Sequence, residues 1–221
     1  MSSAFLKLLV LAGIAIFLIL KLRNVLGTRE GFEKPVLPRE TPSAAISDRR
    51  DLRVIEGGPD RDIVDHVPAD SRAAKALSAM KSVDDSFNVG DFLSGARAAY
   101  EMILMAFEAG ELEKIKPFLS GEVYESFAQV VEERRKKGLT IEAEFVGLRE
   151  IKLVDAEFDP HTKEAELTVR FVAELTSVVR DKAGEIIEGN PNEIKRQKDI
   201  WTFARVMGSD DPNWILVATG G

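Results

Sequence analysis

The hydrophobic period changes once along this chain, at Gly138, and that change fixes what the C-terminal two thirds can become. Upstream, apolar residues recur every three or four positions, as on one face of a helix; downstream they recur every second position, as on one face of a sheet. The clearest helical stripe is Phe92, Ala96, Ala99, Tyr100, Ile103 and Phe107, ending at Gly110. A preceding helix is expected from an N-cap at Ser71 through Ala73, Ala74, Ala76, Leu77 and Met80 to about Val83. A short helix over 111–115 precedes Pro117, and a further one over 121–137, capped by Ser120, is expected to bury Val123, Phe127, Val130 and Val131.

Beyond Gly138 the pattern predicts strands over 140–145 and 149–158, then a turn at Asp159-Pro160-His161-Thr162. From Ala165 to Leu175 apolar residues alternate with Glu164, Glu166, Thr168, Arg170 and Glu174, a long half-buried strand with its carboxylates on the solvated face. Glu142 and Glu144 alternate in the same way. Turns at 181–184, 189–191 and 209–212 bound two last strands over 194–207 and 213–219. Helices first and antiparallel strands second give an α+β fold, with N-terminal helices packed on one face of a curved sheet to form a cone.

Ahead of this domain, residues 5–22 read FLKLLVLAGIAIFLILKL, apolar except for Lys7 and Lys21 near the ends. A helix of that length is about 27 Å long, enough to cross the hydrocarbon layer, and both lysines can reach the headgroups. No small-residue cleavage site follows, so residues 1–23 are expected to be an uncleaved single-pass anchor. More positive charge follows the span (Lys21, Arg23, Arg29, Lys34) than precedes it, which leaves the C-terminal part in the cytoplasm. Residues 24–70 carry five prolines, mixed charge and no apolar period; they are expected to be a flexible tether, with the folded domain at 71–221.

Residue types restrict the chemistry. With no cysteine there is no disulfide, thiolate metal site or thiol nucleophile, and with only His66 and His161 a histidine metal site or triad is hard to assemble. No phosphate-binding glycine loop, dinucleotide fingerprint or zinc-protease motif occurs, so no cofactor and no metal are expected. Residues 86–221 hold 17 basic and 25 acidic side chains, against a nucleic-acid partner. The one dense basic run, Arg134, Arg135, Lys136 and Lys137 before Gly138, suits a helix C-terminus; it also makes a candidate contact for anionic lipid headgroups.

At the C-terminus Asp199, Trp201, Thr202, Phe203 and Arg205, then Pro212, Asn213, Trp214, Leu216, Ala218 and Thr219, make the strings D-x-W-T-F-x-R and P-N-W-x-L-x-A-T. Together with Phe87, Phe92, Ala96, Tyr100, Ile103, Phe107 and Gly110, these resemble the Tim-forty-four-like family of mitochondrial inner-membrane import-motor adaptors and their bacterial relatives, the TimA proteins, over about residues 71–219. The resemblance implies a cone related to the nuclear-transport-factor-two superfamily, with an apolar pocket between helices and sheet. It also implies association with an inner membrane and its anionic lipid, and a membrane-protein or chaperone partner.

The expected function is thus a membrane-anchored, non-enzymatic adaptor whose cytoplasmic domain binds a protein partner or lipid, with Tyr100, Phe107, Trp201, Phe203 and Trp214 as pocket or partner contacts. On adjacent strands Trp201, Phe203 and Trp214 suit core or pocket wall better than a contact surface, and a pocket wall serves both readings. The alternative is a small-molecule-binding or enzymatic cone that uses a buried carboxylate. A carboxylate inside an apolar pocket favours the enzyme; an apolar opening rimmed by basic side chains favours lipid or peptide binding. The residues identify no particular partner and set no oligomeric state.

Overall fold

A computed structural model describes residues 60–220 of the protein. The apolar run at 5–22 and residues 24–59 lie outside them, and among the described residues no helix is long and apolar enough to cross a membrane. The helical part is α1 (Arg61–Val64), α2 (Arg72–Val83), α3 (Val89–Glu108), two single 3-10 turns (Leu112–Lys114 and Lys116–Phe118) and α4 (Gly121–Lys137). The sheet comprises β1 (Thr140–Phe158), β2 (Glu164–Arg180), β3 (Ile186–Val206) and β4 (Ile215–Gly220), paired antiparallel in sequence order.

Local chemistry sets the helix ends. The side chains of Ser71, Asn88 and Ser120 accept from the backbone N–H of Ala74 (3.0 Å), Asp91 (2.9 Å) and Val123 (3.3 Å), each satisfying a donor that has no partner within its helix. α4 stops at Gly138, which takes the left-handed conformation (φ 68°) after a last turn holding Arg134, Arg135, Lys136 and Lys137. The stripe on α3 buries Phe92, Ala96, Tyr100 and Ile103 against the β2 face that carries Leu167, Val169 and Phe171. These form one apolar core with α2 and the inward side of β3.

Five expectations change. The folded unit reaches further towards the N-terminus than residue 71: α1 lies within the expected tether, and Ile63 and Val67 are buried. The strands expected over 140–145 and 149–158 are one, β1, whose ladder with β2 skips Val146, Arg149 and Val154 as bulges. The turn expected at 189–191 lies inside β3: Ser177 pairs with Asn190 and Leu175 with Lys195, so residues 191–194 leave the ladder as a wide bulge. Pro191 has no N–H to give a ladder, yet the strand resumes on both sides of it. Val130 is exposed, because α4 turns only the row of Val123, Phe127 and Val131 inward at the margin of the core.

Glu174 is the fifth. Expected on the solvated face, it is buried (8% exposed), ion-paired with Arg149 on β1 (2.7 Å) and Arg196 on β3 (3.3 Å). Arg149 is one of the bulged residues, and the bulge gives its side chain a new direction, across the neighbouring strand. The bond from Arg149, with that from Arg196, holds the Glu174 carboxyl below the ordinary carboxylate range.

Candidate ligand pocket

The α2–α3 corner, the first half of α3 and the β3–β4 connection enclose a cleft of about 360 Å³. Its walls are aromatic: Phe87, Phe92, Phe118, Phe203 and Trp214. Trp214 packs edge-on to Phe92 at 4.8 Å between ring centroids and tilts against Phe87 at 5.9 Å, while Phe92 meets Phe203 edge-on at 6.0 Å. On α3 the facing positions are Gly95, Ala96 and Ala99, whose small side chains leave the space open. Ser86, Asn88, Asp91 and Asn213 supply polar groups at the lining. Such a site suits an apolar group presented with a few hydrogen-bonding atoms.

Arg205 also lines the cleft, but its guanidinium is already engaged. It donates to Asp84 at 2.8 Å and to the Asp211 carbonyl at 3.2 Å. Asp84 accepts in addition from the hydroxyl and the N–H of Ser86. The Ser86 hydroxyl, outweighing burial and joined by that N–H and Arg205, keeps the Asp84 carboxyl below its ordinary value. Both groups are therefore charged and mutually satisfied, and together they fasten the two chain segments that form the mouth of the cleft.

The structure separates the five aromatic residues singled out in the sequence. Phe203 and Trp214 line the cleft. Tyr100 and Trp201 do not; they are core, with Tyr100 stacked on Phe171 at 4.3 Å and 13° and 4.6 Å from Trp201. The Tyr100 hydroxyl donates to Asp199 at 2.5 Å, and burial together with that carboxylate pushes the phenol far above its ordinary value. Phe107 packs against Phe127 at 4.4 Å and under the Arg134 guanidinium at 4.6 Å, away from the cleft. Asn88 and Phe118, which sequence reasoning did not select, line it instead, with Asn213 of the second tryptophan string; Asn88 could have been found, since it is an N-cap residue directly before the α3 stripe.

The basic run divides as well. Arg134 is half-buried against Phe107 and faces Glu108 at 3.5 Å, whereas Arg135, Lys136 and Lys137 are exposed in the last turn of α4. His161 sits in the β1–β2 turn, where its N–H is held by Asp159 at 2.8 Å. Among the described residues no group of three or more histidines, aspartates or glutamates could hold a metal ion.

The family model described as Tim44-like domain matches residues 73–221. The human mitochondrial import inner membrane translocase subunit TIM44 is 24% identical over 140 residues, covering 63% of this chain and 30% of the human protein. The rat protein of the same name is 23% identical over 133 residues, covering 60% of this chain and 29% of the relative. The chain thus spans less than a third of the length of these curated relatives. The intermembrane space region of the chloroplast protein ARC6 overlaps 68% of this chain and 95% of its own, at 12% identity and a TM-score of 0.35, too loose to define a common architecture. From a match that takes in both the α3 stripe and the tryptophan strings of β3 and β4, the chain belongs to the Tim44-like domain family.

Proposed function

We propose that this protein is a membrane-anchored adaptor without enzymatic activity. In this reading residues 1–23 hold it in an inner membrane, residues 24–59 tether the domain on the cytoplasmic side, and the cone-like domain grips an apolar group of a protein partner or lipid. The family carries the adaptor assignment, since the curated relatives are subunits of an inner-membrane import translocase. A role in protein transport or assembly at the membrane follows from the same names. Exposed Arg135, Lys136 and Lys137 are available for anionic headgroups beside the tethered domain.

The observation that carries the reading is the aromatic cleft at Trp214. Its lining contains one guanidinium and one exposed carboxylate, Arg205 and Asp91, and the first is held by Asp84. An apolar pocket with its strongest charge neutralised serves capture better than proton transfer. The carboxylate beside the core, Asp199, is held by Tyr100 and Gln197 outside the cleft.

The test uses the full-length protein in nanodiscs of neutral lipid, titrated with a brominated alkyl chain that quenches tryptophan on contact. Saturable quenching of wild type and its loss in Trp214→Phe, with the melting temperature held within a few degrees, is the expected result. Quenching that survives in Trp214→Phe places the bromine elsewhere and removes the cleft from the proposal.

A further inference from the structure

A second surface, on the other side of α3, has chemistry that the aromatic cleft lacks. A groove of about 860 Å³ runs between α3 and the start of β1. Met102, Met105, Ile141 and Phe145 form its apolar floor, and Met102 is 40% exposed. Thioether side chains adapt to varied apolar shapes, which suits a surface that meets more than one sequence. Five glutamates border the groove: Glu101, Glu108 and Glu111 from the helical side, Glu142 and Glu144 from β1. Glu108, Glu111 and Glu142 are matched by Arg134, Lys114 and Arg180, whereas Glu101 and Glu144 form no ion pair among the described residues.

The backbone adds a separate signal. β1 is an edge strand, paired only with β2. Bulges at 146, 149 and 154 break its regularity further along, a common means of blunting a free edge. From Thr140 to Phe145 there is no bulge, and the residues pair one to one with Arg180 to Leu175. This regular stretch of open edge is the one that lies along the acidic groove. Its side chains alternate, Ile141, Ala143 and Phe145 turned inward and Glu142 and Glu144 outward.

We infer that this groove receives an extended segment of a partner protein in which apolar and basic residues alternate, added as a fifth strand alongside Thr140–Phe145. Main-chain hydrogen bonds to the open edge supply affinity; apolar side chains at every second position reach the floor beside α3, and the basic ones between them, turned to the opposite face of the sheet, meet Glu142 and Glu144. The charge excludes acidic segments and turns this face away from anionic lipid. Segments rich in lysine and arginine flank the cytoplasmic ends of membrane-spanning helices, which is where a tethered domain meets them. That last point rests on the proposed membrane location; the selection of an alternating basic segment does not.

The test is binding of labelled hexapeptides to the full-length protein in nanodiscs of neutral lipid, followed by fluorescence anisotropy. The probes are an alternating lysine–valine peptide, its glutamate–valine counterpart, and two lysine–valine peptides N-methylated at every second amide in opposite registers. The lysine peptide is expected to bind at least tenfold more tightly than the glutamate peptide, and one N-methylation register to lose at least tenfold. The double variant Glu142→Gln with Glu144→Gln changes the two exposed side chains on that outward face without altering their volume. It is expected to weaken the lysine peptide several-fold, to flatten its salt dependence and to leave the melting temperature in place. Equal binding of both peptides, indifference to N-methylation in both registers, or unchanged affinity in the double variant each overturns the inference. Trp214→Phe is expected to leave peptide binding intact; loss there places the peptide in the aromatic cleft, which ends this inference while the adaptor reading stands.

Discussion

Arg205 on β3 and Asp84 at the end of α2 are 121 residues apart in sequence and 2.8 Å apart in space, with their side chains 10% and 9% exposed. The pair ties the connection before β4 to the α2–α3 corner, the two segments that carry Trp214 and Phe87 into the aromatic cleft. Removing one partner leaves the other charged, poorly solvated and short of a hydrogen bond.

Arg205→Ala and Asp84→Ala are therefore each expected to lower stability by about 2 to 3 kcal/mol, below the range for deeply buried pairs because both groups border an open cleft. The double variant should cost less than the sum of the singles. Urea unfolding of all three gives the coupling energy; strictly additive losses would show that the pair does not act as a unit.

Acid should loosen the domain through named groups. For Asp62, burial pushes the carboxyl up, but the bonds from Lys81 and from the N–H of Val89 and Gly90 outweigh it, so the folded value lies below the ordinary one. Asp84 and Glu174 are also lowered. A depressed folded value contributes stability that is complete above the unfolded value and is lost as pH falls through the folded one. The melting temperature should hold steady above about pH 5 and fall as pH drops below about 4. In Asp84→Asn and Asp62→Asn that fall should be shallower, since each lacks one titrating group.

Asp62 also fixes the N-terminal end of the domain. Its carboxylate accepts from Val89 N–H at 2.8 Å and Gly90 N–H at 3.1 Å, so α1 caps the first turn of α3 from outside. Loss of a capping side chain costs about 1 kcal/mol. Asp62→Ala should speed amide hydrogen exchange at Val89 and Gly90 while leaving the β2 strand from Ala165 to Leu175 unchanged. Equal protection in variant and wild type would mean that solvent replaces the cap without cost.

Two glycines should differ in tolerance. Gly138 (φ 68°) closes α4, and an added Cβ there meets only the flexible side chain of Lys182, so Gly138→Ala is expected to cost about 1 to 2 kcal/mol for the left-handed backbone alone. Gly189 (φ 84°) stands beside the β3 bulge, and its Cβ would overlap the Ser177 carbonyl oxygen. Backbone cannot rotate aside as a lysine can, so Gly189→Ala should unfold the β2–β3 arm or shift its register. Thermal melts of the two variants side by side distinguish the cases; equal losses would show that the arm rearranges freely.

The sequence by itself determined the class of the main elements, though not α1 or the first part of β3. Periodicity at 3.6 and 2 residues placed α2 and α4 within a residue or two of their ends, and found α3 and β2 but not their full extent, because the core face of each must be apolar at that spacing and because Ser71, Ser120 and Gly138 are local caps whose chemistry acts within one turn. The tryptophan strings sufficed for the family. Periodicity cannot say which buried aromatic borders empty space: Trp201 and Phe203 are neighbours on one strand, both turned inward, and only the small residues Gly95, Ala96 and Ala99 opposite one of them open a cleft there. Nor can it anticipate pairings made across strands. Arg149 reaches Glu174 because a bulge redirects it, Arg205 finds Asp84 through the packing of α2 on the sheet, and Pro191 sits in a strand because the ladder closes on either side of it. Those outcomes depend on contacts 13 to 121 residues distant, and the tertiary structure decided them.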